Sequence, residues 1–312
     1  MGENAAVATS GSDYDAIVIG AGHNGLVTAA YLARAGLSTL LVEARDRVGG
    51  TAASETFAGA TVNICNCDHL TFRTTPVVNE LDLAAHGLRY LDVAPGQHNA
   101  VWGRDPASTV ASMWSSHHDI DATLAEIERV APADAEGYRR YLNAAIPAVE
   151  LIFAAANEAP TPTGLVRHAG ARRFRGSGTL LRWSRRSAGD VLRAYFGSET
   201  LRASAAAVGP MVWGSSPEFA GSGLGALTHA MRHVAKVGRP VGGSGEVPRT
   251  LQCAFDAAGG DLRTSTRVVE ICCTGDRVSG VRLQSTPCSP NDGDAAMASR
   301  DGAEFVSAPI VV

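Results

Sequence analysis

The feature that most constrains this chain is the segment Gly20-Ala21-Gly22-His23-Asn24-Gly25, set directly between an apolar, β-rich run (Tyr14 to Ile19) and a stretch of helical apolar spacing. From Asn24 to Ala35 the residues Leu26, Ala29, Ala30, Leu32 and Ala33 recur on one helical face, and Gly36 follows as a C-terminal cap. Ser38 to Val42 then reads as a second strand. Strand, tight glycine turn, helix and strand make a βαβ unit, whose strands run parallel and whose crossover is right-handed.

Each glycine has its own reason to be there. Gly20 permits the sharp turn, Gly22 leaves out a side chain where a diphosphate must approach the backbone, and Gly25 lets the helix pack on the strand. The N–H groups of the helix's first turn, around Asn24, then face the diphosphate at the positive end of the helix dipole. Glu43, at the end of the second strand, can accept hydrogen bonds from a ribose diol, and its charge repels a 2′-phosphate. NAD and FAD share this fingerprint, so the turn gives a dinucleotide and leaves its identity open.

The residues after Glu43 bear on that choice. The chain continues Ala44-Arg45-Asp46-Arg47-Val48-Gly49-Gly50-Thr51, and the paired glycines offer a second close backbone approach that the simple NAD pattern does not require. The run from Asp15 to Thr51 resembles the flavin amine oxidase and phytoene desaturase superfamily, and Gly20 to Leu26 is most similar to its phytoene-dehydrogenase-related branch. Weaker resemblance extends through Pro76 to Leu91, Val237 to Gly245 and Thr264 to Leu283. The resemblance implies FAD as cofactor. It places Glu43 at the adenosine ribose, Arg45 and the Gly49-Gly50-Thr51 backbone on the diphosphate side, and the Val268 backbone at the adenine. Thr51 stands where many relatives carry an arginine, which removes a side-chain charge contact to the diphosphate.

The expected fold is α/β, a Rossmann-like FAD-binding domain with an inserted, mainly helical substrate domain. Residues 1–11 form a flexible tail, 12–100 the first part of the FAD domain, 101–235 the helical domain and 236–312 an incomplete second part of the FAD domain. Within these, Ile120 to Val130 and Ala135 to Ala156 read as helices, and Asp261 to Arg263, Arg267 to Cys272, Arg277 to Leu283 and Glu304 to Val312 as strands. Gln284 to Gly302, rich in Ser, Pro, Asp, Asn and Gly, reads as a flexible loop. Members of the resembling family continue further and contact the flavin ring from a second glycine-rich segment. The expectation is therefore a truncated chain or a second polypeptide that completes the fold.

Composition narrows the remaining classes. A formal charge of −4, from 31 acidic and 27 basic residues, gives no whole-chain field for nucleic acid. Met1 to Gly11 has neither a basic nor an apolar leader pattern, and no window of about 18 apolar residues occurs, so a cytoplasmic protein is expected. The cysteines at 65, 67, 253, 272, 273 and 288 lack C-x-x-C spacing and any paired Cys/His metal pattern. Neither disulfide chemistry nor a metal is assigned. Of the histidines, His23 lies in the nucleotide turn and His69 near the expected flavin side, but no catalytic residue is identified. Arg167, Arg172, Arg173, Arg175, Arg182, Arg185 and Arg186, interleaved with Phe174, Leu180, Leu181 and Trp183, read either as a solvated segment or as a peripheral contact with an anionic membrane.

The function expected from the resemblance is an FAD-dependent dehydrogenase or desaturase acting on a small apolar substrate, polyene or isoprenoid in type, with the helical insertion as its chamber. A rival is a non-catalytic nucleotide-binding subunit or truncated pseudoenzyme. Another is an NAD-dependent dehydrogenase.

Overall fold

The computed structural model describes residues 11–65, 69, 71–102, 110–158, 161–212, 214–235, 237–286 and 302–312. The expected N-terminal tail (but for Gly11), Cys67, Cys288 and most of the loop from Gln284 to Gly302 lie outside these described residues. The first elements are β1 (Ala16–Ile19), α1 (His23–Arg34), β2 (Thr39–Val42), β3 (Ser54–Phe57), β4 (Ala60–Asn63), α2 (Val77–Glu80), β5 (Tyr90–Asp92), β6 (Gln97–Trp102) and β7 (Val110–Ser116). Helices follow: α3 (Ile120–Val130), α4 (Ala135–Ala156), α5 (Pro162–Ala171), α6 (Ser177–Trp183), α7 (Ala188–Tyr195), α8 (Glu199–Val208) and α9 (Thr228–Met231). The chain then runs through β8 (Gly238–Pro240), α10 (Glu246–Ala257), β9 (Asp261–Arg263), β10 (Thr266–Thr274), β11 (Arg277–Ser285), β12 (Glu304–Ser307) and β13 (Ile310–Val311).

Two compact units result, the first from Met1–His69, Val77–Leu91 and Arg239–Val312, the second from Leu70–Pro76 and Asp92–Gly238. In the first unit the strands run in the order β13-β1-β2-β9, all parallel. β2 is buried along its whole length and β1 over Ala16 to Val18, as strands covered on both faces must be. α1 buries Leu26, Ala29, Ala30 and Ala33 and packs beside α10. A three-stranded antiparallel sheet, β10-β11-β12, contributes Val281, Leu283 and Val306 to the same core as Ile17, Leu40 and Val42.

The expected single strand from Glu304 to Val312 needs correcting. It divides at Ala308-Pro309 into β12, antiparallel to β11, and β13, parallel to β1. Pro309 has no N–H to give to a ladder, so the chain can change sheets there without leaving a donor unpaired.

The second unit contains a β6–β7 hairpin; β7 falls within the 101–235 stretch expected to be mainly helical, and β6 begins in the part expected to belong to the FAD domain. Its core is aromatic: Trp114 of β7, Tyr138 and Tyr141 of α4, Trp183 of α6 and Phe196 are each buried. Helix starts follow ordinary capping chemistry, with the side chains of Asp119, Thr161, Ser187 and Ser198 accepting first-turn N–H groups of α3, α5, α7 and α8. Buried Asp134 accepts from the Gly197 N–H at 2.6 Å and the Ser198 N–H at 2.9 Å. Burial raises its carboxyl pKa, but the Ser198 hydroxyl, these two N–H groups and the Arg202 charge together outweigh that and hold it below the usual carboxylate value.

Candidate dinucleotide site

The sequence-predicted glycines meet in space. Gly25 lies so close to the strand end that a Cβ there would sit 1.9 Å from the Gly20 carbonyl oxygen, so no other residue keeps this packing. The turn from Gly49 to Thr51 folds back onto Gly22: Gly22 and Gly49 form a parallel bridge, and the Gly49 N–H donates to the Ala21 carbonyl at 2.8 Å. A Cβ on Gly50, whose φ is +56°, would lie 3.0 Å from the Gly22 Cα. Two bare backbone segments therefore face one another beside the start of α1.

That helix start is open. Gly22 is its N-cap and gives no side-chain cap, and no acidic residue stands in the first turn, which holds His23, exposed Asn24 and Gly25. A 12-residue helix with uncapped N–H groups and no competing carboxylate suits an anion at this end. Thr51, next to the paired glycines, is exposed in a short 3₁₀ turn, Gly50–Ala52.

Glu43 does more than sequence spacing can show. One carboxylate oxygen (Oε2) accepts from the Ala21 N–H at 2.8 Å and the other (Oε1) from the Arg45 N–H at 2.9 Å. The side chain thus pins the glycine turn to the segment after β2. Each oxygen keeps a second lone pair for a ribose hydroxyl. Its backbone joins the same construction, with its N–H on the Arg263 carbonyl and its carbonyl accepting from Thr266. The exposed residue Arg45 accepts from the Ser265 N–H at 2.7 Å through its carbonyl. These bonds bring the start of β10 to Glu43, and Val268, two residues further on, pairs with Leu283 and packs partly buried against the core of the unit.

A further cluster explains why the resemblance includes Val237 to Gly245. Ser54 donates to the Asn63 side chain at 2.9 Å, the Ser244 N–H donates to the same oxygen at 2.9 Å, and the Gly245 N–H donates to Ser54 at 3.0 Å. The Gly243 to Gly245 turn is thereby fastened to the β3–β4 hairpin, which sequence reading missed. His69 is buried, and its Nδ1 lies 2.7 Å from the Tyr90 hydroxyl. Among the described residues no group of three His, Cys, Asp or Glu could hold a metal ion.

A Rossmann-like α/β unit whose glycine turn, uncapped helix start and strand-end glutamate converge defines a dinucleotide-binding protein. The model of the family described as "Flavin containing amine oxidoreductase" matches residues 25–299, and the chain belongs to that family. With the family settled, the cofactor is FAD, and the choice between NAD and FAD that the fingerprint left open is resolved. A limonene dehydrogenase subunit of Castellaniella defragrans is 36% identical over 125 residues, 40% of this chain and 22% of that protein. Pyridine nucleotide-disulfide oxidoreductase domain-containing protein 2 of Rattus norvegicus is 28% identical over 87% of this chain and 51% of its own length. Phytoene desaturase (lycopene-forming) of Pseudescherichia vulneris is 29% identical over 86% and 52%. The chain therefore spans about half the length of these last two relatives. A solved putrescine oxidase variant superposes with a TM-score of 0.57 over 96% of this chain and 57% of its own, at 19% identity, which shows the FAD-binding fold.

Proposed function

We propose that this chain holds the ADP half of FAD in the glycine cradle and serves a dehydrogenase or desaturase acting on a small apolar substrate. The observation that carries the reading is the apposition of the Gly22 and Gly49-Gly50 backbones beside the uncapped start of α1. The bare Gly22 and Gly49-Gly50 backbone and the first-turn N–H groups around Asn24 would hold the diphosphate, with Arg45 and Thr51 beside it; Glu43 would hold the ribose diol and the Val268 backbone the adenine. When bound, the flavin supplies the hydride acceptor, and the protein's task is binding, orientation and exclusion of water. An apolar substrate is favoured over an amine because limonene and phytoene appear in the names of two relatives. A partner polypeptide belongs to the same proposal: among the described strands β13, with Ile310 well exposed, is an edge of the parallel sheet and can accept another strand.

The test is spectroscopic. Chain loaded with FAD should be yellow, bleach reversibly with dithionite, and bleach anaerobically with limonene or phytoene but not with putrescine. Bleaching by putrescine alone would overturn the apolar substrate, and a colourless chain that takes up NAD instead would overturn the cofactor site.

A further inference from the structure

The helical unit carries two neighbouring hollows along the second half of α4, one apolar and one basic. The apolar groove, about 570 Å³, is lined by Leu151, Ile152 and Ala155 of α4, Leu165 of α5, and Leu180 and Leu181 of α6. The basic hollow, about 460 Å³, lies against Ile146, Pro147 and Glu150 on the preceding turns and is ringed by Arg172, Arg173 and Arg175. Glu150 answers Arg172 at 2.8 Å, and Arg167 pairs with Glu158. Among the described residues Arg173, Arg175, Arg182 and Arg185 have no carboxylate at ion-pair distance. Exposed apolar side chains belong to the same segment: Val166 is 64% accessible, Phe174 62% and Leu181 57%.

These observations pull in one direction. Guanidinium groups without acids call for anions, and guanidinium geometry matches phosphate oxygens in pairs. Large apolar side chains beside an open apolar groove call for hydrocarbon, and arginine stems can lie along it while their heads reach the polar layer. A free phosphate satisfies only the first demand. We propose that α5, α6 and the second half of α4 form a docking surface for an anionic phospholipid membrane. Headgroup phosphates meet Arg173, Arg175 and Arg182, and acyl chains meet Phe174, Leu181 and the groove. The proposal concerns the helical unit alone and stands apart from the flavin reading.

The experiment sediments the full chain with vesicles of phosphatidylcholine alone, or of phosphatidylcholine with phosphatidylglycerol, without added flavin. Binding to the anionic vesicles only is expected. It should fall more than tenfold between roughly 0.1 M and 1 M salt, as the screening length shrinks from about 10 Å to about 3 Å. Replacing three arginines together (Arg173→Gln, Arg175→Gln, Arg182→Gln) should weaken it on the order of a hundredfold, since each basic residue near such a surface contributes about fivefold. Phe174→Ser with Leu181→Ser should remove what binding survives high salt. The matched control, Arg267→Gln with Arg277→Gln in the other unit, should bind as the parent does. Equal binding to neutral and anionic vesicles overturns the proposal, as does displacement by inorganic phosphate at matched ionic strength. Because the salt series uses the unaltered chain, the outcome does not depend on any variant folding.

Discussion

At the scale of single residues, Glu43 and Gly22 carry the most. Glu43 was legible as a ribose acceptor from its place at the end of the second strand, but the two backbone N–H groups it holds, from Ala21 and Arg45, were not. Such bonds depend on where two loops meet, and sequence spacing carries no record of that. Glu43→Gln turns an –NH₂ toward one of those donors and removes charge-assisted bonds of roughly 1.5–3 kcal/mol. It should therefore weaken ADP binding and lower the denaturation midpoint together. Gly22→Val should leave the midpoint less affected and abolish binding, because its side chain occupies the diphosphate's approach. Calorimetric ADP titration beside urea melts on both variants checks this, and undiminished ADP affinity in Gly22→Val would exclude the site.

Among the elements, those with clean periodicity were readable to the residue: Ile120–Val130 and Ala135–Ala156 coincide with α3 and α4. The hairpins were not. β3 reads Ser-Glu-Thr-Phe and turns mostly exposed side chains outward, whereas β6–β7 buries polar Asn99 and Ser116, so neither shows apolar alternation. Behind β7 the aromatic core encloses His229, beside Trp114, Tyr138 and Tyr141. Burial, with Arg232 and His233 adding to it, pushes the His229 pKa down from 6.5 to about 3. Its neutral form is thus the folded form, and an unfolded chain takes up the proton first as pH falls. The contribution is whole above about pH 6.5 and is lost downward toward about pH 3, at roughly 1.4 kcal/mol per unit for one such group. His229→Gln should flatten the fall in urea midpoint between pH 7 and pH 5, measured by near-ultraviolet circular dichroism. An unchanged slope would remove His229 as its source.

For the whole molecule, the βαβ unit and the return of strands late in the chain were legible, because a glycine fingerprint and short β-branched runs are local signals. The return of Gly49-Gly50 onto Gly22 was not, since it depends on a three-dimensional turn after β2. The described cradle offers contacts to the adenosine and diphosphate, so ADP should bind this chain nearly as tightly as FAD. Calorimetry comparing the two is the check. FAD binding far tighter than ADP would show that residues of this chain also hold the flavin ring.

The strand order β13-β1-β2-β9 also sets a schedule for synthesis. β1 and β2 leave the ribosome early, while both strands that flank them are encoded beyond Gly260. At about 5–20 residues per second the wait lasts on the order of tens of seconds. During it the β1–β2 pair keeps both of its outer edges open, and the helical unit encoded between β2 and β9 can already be folding. The nascent chain is thus a natural client for a holding chaperone, and rare codons placed within the helical segment would lengthen its most vulnerable interval.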